Sequence, residues 1–374
     1  MKRFLAVLLL LPFLFFTSCQ KEELEAVDTS SKNTQRLLNY LADNYGKKII
    51  SGQMDTAWTT NASMDMIARV YTDTEKYPAI KGFDFIGLPN SWDGYGKNQI
   101  DEAIEWWEGK NNNVKLLPDK PDIHGIVTFC WHWVVKGNFY TDQTSFRIPW
   151  KDDKLDTESN DFKIIKSDLD KVAALLQILK EKNIPVLWRP LHEAAGNYKK
   201  WGNTGNDGAW FWWGASGPQP CIALWEYMYD YLTNEKKLDN LIWVWNGQHE
   251  DYFPNPETVD IVGCDVYAPA KNYSSQKNSF TETKNMLPLA LDRMIAMTEN
   301  GAIPDPDECK NDNAMWSWFM TWNDGYGSNQ GETHKDNFWT GEYHNTNAHK
   351  NYVYKHDLVI TLDELPNLTK YRLN

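Results

Sequence analysis

Apolar residues along this chain gather in short runs separated by polar, helix-patterned stretches. Eight runs read as strands: IISGQMD (49–55), IKGFDFIGL (80–88), IHGIVTFCWH (123–132), IPVLWRPLHE (184–193), LIWVWN (241–246), VDIVGCDVY (259–267), MIAMTENG (294–301) and AMWSWFMTW (314–322). They are too short for helices and are bounded by Gly, Pro, Asn or Asp. Between them, Leu169, Val172, Leu176 and Leu179 recur at three- and four-residue spacing, and LWEYMYDYL (224–232) is a second helical pattern. Strands alternating with helices predict a single α/β domain, a (β/α)8 TIM barrel. A doubly wound open sheet is the alternative, weakened because no glycine-rich phosphate loop follows the first run. From His334 onward the pattern predicts one last helix and a closing strand, DLVITLD.

Nearly every run finishes on polar or aromatic residues. In chain order these are Gln53 to Asp55, a loop after Leu88, Trp131 with His132, His192 with Glu193, Asn246, Asp265 to Tyr267, Glu299, and Trp322 with Asn323. A barrel carries its chemistry at these C-terminal strand ends. The stretch PVLWRPLHEAAG (185–196) shows the change most sharply. A zinc protease motif would need a second histidine at 196, where this chain has Gly, and Pro190 interrupts any continuous helix. No metal site is expected there.

Glu193 and Glu299 close the fourth and seventh runs. Cleaving a glycosidic bond takes one carboxylic acid to protonate the departing oxygen and one carboxylate to attack, or to activate water. Two carboxyls across a barrel mouth supply both, and their mutual repulsion separates their protonation.

Composition narrows the partner. A net charge of −13 with no basic run argues against nucleic acid and anionic membranes. Nineteen Trp and eighteen Tyr favour a carbohydrate ligand, since flat rings stack on sugars, although most such rings serve as core. The opening MKRFLAVLLLLPFLFFTSC has two basic residues and an apolar run too short to span a bilayer. It resembles a bacterial lipoprotein signal ending at Cys19. The expected division is a signal peptide over 1–18, a polar tether over 19–34 and a catalytic domain over 35–374. Cys19 would be lipidated and the protein exported to the outer membrane, at its surface or periplasmic face. Cys130, Cys221, Cys264 and Cys309 are too few and scattered for a disulfide scaffold, and spacing assigns no pair.

Together WRPLHEAAG, WFWWGASGP, GCDVYAP, AMTENGAIPD and the early ISGQMD resemble glycoside hydrolase family 26, whose best-known members are retaining β-1,4-mannanases. The resemblance runs from about residue 35 to about residue 325. It implies that Glu193 is the acid/base and Glu299 the nucleophile. It places His192 at the sugar beside the cleavage point, Tyr267 on the nucleophile with Asp265 nearby, and His132 on the glycone side. Trp210 would stack at the aglycone side and Trp322 would floor the cleavage subsite. No cofactor is implied, and a monomer acting on β-mannan or manno-oligosaccharides is expected. Xylan-type or mixed-linkage β-glucan substrates, and a glycan-binding lipoprotein without turnover, are the alternatives. Two departures stand out. The stretch NYKKWGNTGNDGA before Trp210 looks long and adds Tyr198 and Trp201 to the rim, and Asn323 stands where many members have Arg. Long loops also follow the second run, around SWDGYG, and the third, from 134 to about 164; loops of this kind can wall off one end of a cleft and turn an endo-acting enzyme into an exo-acting one, and the sequence leaves both modes open.

Overall fold

The computed structural model describes residues 31–56, 65–88, 95–203, 208–289, 291–324 and 334–373. Cys19, the signal segment, most of SWDGYG and part of the loop before Trp210 lie outside them. Seven parallel strands form one sheet: β1 (Gly52–Met54), β2 (Ile80–Asp84), β3 (Ile126–Cys130), β4 (Val186–Arg189), β5 (Leu241–Trp245), β6 (Ile261–Val266) and β7 (Met294–Asn300). They lie side by side in chain order from β1 to β7. All are parallel because each crosses back through an outer segment, as a barrel requires.

The eighth predicted run closes the gap between β7 and β1 without forming a regular strand. On one side Ile50 N donates to Ser317 O, Phe319 N to Ile50 O, Thr321 N to Gly52 O and Met54 N to Thr321 O. On the other, Ser317 N donates to Ile295 O, Met297 N to Trp318 O and Asn300 N to Met320 O. Between those last two bonds β7 advances three residues and its partner two, so the second ladder slips. That slip leaves only isolated bridges. A Cβ on Gly52 would lie 2.6 Å from Phe319 O, so only glycine lets the seam close. Asn300, wholly buried, pins it: its Oδ1 accepts from Met320 N at 2.8 Å and its Nδ2 donates to Ala302 O.

Helix patterns hold where they were strongest. The Leu169 to Leu179 spacing lies in a helix over Asn160–Glu181, capped by Ser159 Oγ accepting from Phe162 N, with all four residues buried against the sheet. The 224–232 pattern falls in Pro218–Tyr229 and the wider π-turn Asp230–Glu235. Between β5 and β6 only two 3₁₀ turns occur, Glu250–Tyr252 and Pro256–Thr258, so strand–helix alternation breaks there. The first helix begins at Lys32, capped by Ser31, three residues inside the segment read as tether. In the tail, helix Asn347–Tyr354 and strand Val359–Ile360 form as expected, but the strand pairs with Ile49–Ile50 outside the main sheet. The four described cysteines are free thiols.

Most of the tryptophans are core. Trp131, Trp133, Trp188, Trp212, Trp213 and Trp318 are among those buried almost completely. Asn300→Leu should therefore cost about 2–4 kcal/mol, because it orphans the buried Met320 N–H and removes further bonds. Urea unfolding measures this; a loss below about 1 kcal/mol would show that the seam holds without Asn300.

Candidate active site

Four strand ends converge on one buried cation. Arg189, at the end of β4, points into the barrel with Met54, Thr128 and Val244 around the same interior cavity. Its Nη2 meets Glu299 Oε1 at 2.5 Å and its Nη1 meets Asp265 Oδ2 at 3.1 Å. Asp265 and Glu299 sit directly opposite each other on β6 and β7, after a bulge that pairs Cys264 with Met297 and Asp265 with Glu299. The extra residue is Thr298. A bulge turns two consecutive side chains to one face, and here both are used. Thr298 Oγ1 donates to Asp265 Oδ1 at 2.6 Å while Glu299 meets Arg189. Tyr267 closes the group, its hydroxyl donating to Glu299 Oε2 at 2.6 Å. Its ring is 46 % exposed while its hydroxyl turns inward. Burial and the carboxylates beside it hold that phenol well above its ordinary pKa, so it stays a donor.

Glu193 follows β4 on a bent backbone. Leu191 and Glu193 both take left-handed φ values of 50°, a conformation unfavourable for non-glycine residues. The bend is held from β5: Glu193 N donates to Asn246 O at 2.7 Å and approaches Asn246 Oδ1 at 3.3 Å. Asn246 Nδ2 in turn donates to Thr298 Oγ1 at 3.1 Å. The polar ending of the fourth run is thus a forced turn that lifts Glu193 over the Arg189 group. Burial, then the charges of Asp265 and Glu299, push the Glu193 carboxyl well above the usual range, against the pull of Arg189 and a hydrogen bond from Gln248.

His132 ends β3 and bonds Asp84 twice, through Nδ1 to Oδ2 at 2.6 Å and through its amide to Oδ1 at 3.0 Å. Burial opposes its charge, but Asp84 prevails and holds the imidazole above its ordinary pKa. His132 Nε2 lies 3.2 Å from His192 Nε2. Burial and the cationic neighbours His132 and Arg189 drive His192 well below its ordinary value. His192 is fully buried, so it meets the site through His132. Trp322 packs edge-on to His132 at 5.9 Å, and its carbonyl accepts from Gln53 Nε2 at 3.3 Å. Trp210 is 38 % exposed, its carbonyl accepting from Thr141 N. Glu193, Glu299, His132, His192, Asp265, Tyr267 and Trp322 therefore come together. Tyr198 does not reach the rim: it is buried, its hydroxyl on Asp251 at 3.0 Å. Asn323 is buried as well.

Asp84, Thr298 and Gln248 escaped the sequence reading, and Arg189 was seen without a role. A charged residue inside an apolar run was the available signal for Asp84 and Arg189. Among the described residues one trio, Asp84, Cys130 and His132, has ligand atoms within 4.8 Å. The Asp84–His132 bond already accounts for two of them, and burial keeps the Cys130 thiol protonated, with its pKa well above the ordinary value.

The glycosyl hydrolase family 26 model matches residues 27–207 and 204–364. The chain is 32 % identical over 341 residues to mannan endo-1,4-beta-mannosidase B of Piromyces sp, covering 89 % of this chain and 52 % of that protein. It is 31 % identical over 350 residues to a mannan endo-1,4-beta-mannosidase of Thermothelomyces thermophilus, covering 90 % and 62 %. It thus spans little more than half the length of these curated relatives. A beta-mannanase from a symbiotic protist of the termite Reticulitermes speratus, solved with a gluco-manno-oligosaccharide, superposes with a TM-score of 0.72 at 28 % identity, covering 90 % of this chain and 96 % of that one. The Podospora anserina GH26-CBM35 beta-(1,4)-mannanase gives 0.70 at 30 % identity, covering 91 % and 68 %.

Arg189 gives a stability test. Burial, then Glu299, raise the Asp265 pKa from 3.8 to about 7 against the pull of Arg189. The folded protein thus holds a proton there that the unfolded chain releases, and stability falls as pH rises through that window. Arg189→Met should cost about 3–5 kcal/mol near neutral pH and less at pH 5, because protonation relieves the unpaired carboxylates. Urea midpoints at both pH values measure this; equal losses at both would contradict it.

Proposed function

Because the chain belongs to glycosyl hydrolase family 26, we propose that it is a retaining β-1,4-mannanase acting on mannan, glucomannan, galactomannan or their oligosaccharides. One observation carries the mechanism: the two carboxyls sit in opposite environments. Glu299 is charge-paired by Arg189 and held by Tyr267, while burial and the neighbouring carboxyls raise Glu193 well above the usual carboxyl range. Such a split assigns roles.

Glu193 donates its proton to the departing glycosidic oxygen as that bond breaks. Glu299 attacks the anomeric carbon from the opposite face, forming a covalent glycosyl-enzyme. Arg189 and Tyr267 fix the attacking carboxylate before its negative charge is consumed in the ester bond. Glu193, now ionised, takes a proton from water, whose oxygen attacks the same carbon and frees Glu299. Two inversions retain the β-configuration. His132, its Nδ1 on Asp84 and its Nε2 against His192, lines the sugar side of this cleft, and Trp322 and Trp210 offer stacking faces.

We further propose that residues 1–18 are a signal peptide, that lipidated Cys19 and the following polar segment tether the domain to the outer membrane, and that the catalytic domain occupies the rest. Two or more acyl chains give firm attachment. Cys19→Ala should therefore move the protein from the membrane fraction to the soluble one. A wild type that is already soluble in its native cell would remove the anchor and leave the enzymology untouched.

Separating the glutamates tests the chemistry. Glu299→Ala should abolish sugar release from every β-mannan. Glu193→Ala should lose roughly 10²- to 10⁴-fold on mannan and far less in the first step with an aryl mannoside whose leaving group needs no proton. Azide should then restore turnover to Glu193→Ala and yield the β-glycosyl azide. A β-azide from Glu299→Ala instead would exchange the roles. A wild type that binds mannan without releasing sugar would be a glycan-binding protein, and release only from xylan or mixed-linkage glucan would move the substrate.

A further inference from the structure

The loop between Glu193 and Trp210 carries one feature that the chemistry above leaves unused. Trp201 is 84 % exposed, the most exposed tryptophan among the described residues, in a chain whose other tryptophans are mostly core. Free energy favours covering a ring of that size, so its placement needs a cause.

The described part of the loop is held in place. It is pinched shut at its base, where Asn197 N donates to Gly208 O at 2.7 Å, and the strands of the neck touch so closely that a Cβ on Gly196 would lie 2.8 Å from Trp210 N. Tyr198 clamps it from inside, edge-on to His249 at 4.9 Å and to Tyr252 at 5.3 Å, with its hydroxyl on Asp251. Lys199 Nζ adds a second bond to Asp251 at 2.6 Å. Beyond the clamp the backbone turns through left-handed conformations at Lys199, Trp201 and Gly202. Bonds from Lys200 N to Asn197 O and from Asn203 N to Lys200 O hold that turn. Two non-glycine residues in that conformation cost energy, and such strain persists where a fixed direction is useful. What the turn fixes is an indole pointing into water from the same barrel mouth as Glu193 and Trp210.

We propose that Trp201 is a distal sugar-stacking site that holds an extended β-1,4-linked mannan chain beyond the residues bound at Glu193 and Glu299, so that the enzyme prefers polymer over short oligosaccharide. The inference rests on the mannanase reading of the site. The neighbours of Trp201 favour a glycan over a protein partner. Along the chain they are Lys199, Lys200, Gly202 and Asn203, polar or small, unlike the contiguous apolar patch that protein docking uses. A sugar face needs one flat ring and nearby hydrogen-bonding groups. The strand-end origin of the loop places that ring on the face where the polymer passes.

Affinity electrophoresis through gels containing soluble glucomannan tests it, with every protein carrying Glu299→Gln so that the polymer survives. Trp201→Ala should bind roughly three- to tenfold more weakly than its parent, and Trp201→Phe should recover part of the loss. Mannotriose, too short to reach the loop, should compete equally against parent and variant. Trp201 contributes almost nothing to the core, so unchanged unfolding midpoints will accompany the loss. Equal retardation of parent and Trp201→Ala would overturn the proposal while leaving the mannanase reading intact. A parent that is not retarded by any β-mannan would instead sink that reading. A co-purified protein that is held by the parent and lost from Trp201→Ala, with equal retardation of the two, would assign the ring to a protein partner.

Discussion

The site is organised by one buried guanidinium. Arg189 spans from β4 to two carboxylates that the register of β6 and β7 sets side by side, and no water-filled distance separates the charges. Without that cation, Asp265 and Glu299 would repel each other in a medium that screens poorly. A planar fork suits the task better than an ammonium would, because one nitrogen serves each carboxylate while Asn246 Oδ1 accepts from the same group at 3.3 Å. The bulge at Thr298 is part of the same arrangement. It presents Thr298 and Glu299 to one face, so Asp265 is satisfied by a hydroxyl while Glu299 keeps its second oxygen for Tyr267.

From this group the protonation of the rest follows. Glu193 is partly buried beside the Asp265 and Glu299 carboxyls, and both effects raise its carboxyl well above the usual range. His132 is raised by Asp84 at close range against the pull of burial, while burial, then His132 and Arg189, lower His192 well below its ordinary value. Each group is shifted by its neighbours, and the outcome is a cleft with a raised carboxyl at Glu193, an Arg189-paired carboxyl at Glu299 and the Asp84–His132–His192 chain beside them. The strained turn at Leu191 and Glu193 is sustained because Asn246, on the next strand, bonds the Glu193 amide twice.

The aromatic content divides into two populations with different physical jobs. Rings such as Trp188, Trp212, Trp213 and Trp318 fill the space between sheet and helices, and several find a carbonyl for their indole N–H, as Trp213 does at His192 O. Trp210, Trp322 and Trp201 keep a face uncovered or partly so. Among the described residues most tryptophans belong to the first group, so the number of tryptophans reports mainly on packing.

Seven of the eight strands, the long helix at 160–181 and the pair Glu193 and Glu299 were legible in the chain, because apolar runs with polar ends are a local signal and barrel strands put that signal at the mouth. Tertiary structure decided what local pattern does not encode. The eighth run became isolated bridges because its two neighbours impose different registers. Asp84 and Arg189 became the keystones of His132 and Glu299 although both look like interruptions of apolar runs, since a charge's role depends on which strand faces it. Tyr198 and Trp201, three residues apart in a loop that sequence could only call long, went to opposite fates: one ring folded onto His249 and Tyr252, the other turned out to solvent. Periodicity records which residues prefer to leave water; only contacts across the barrel record which partner waits for them.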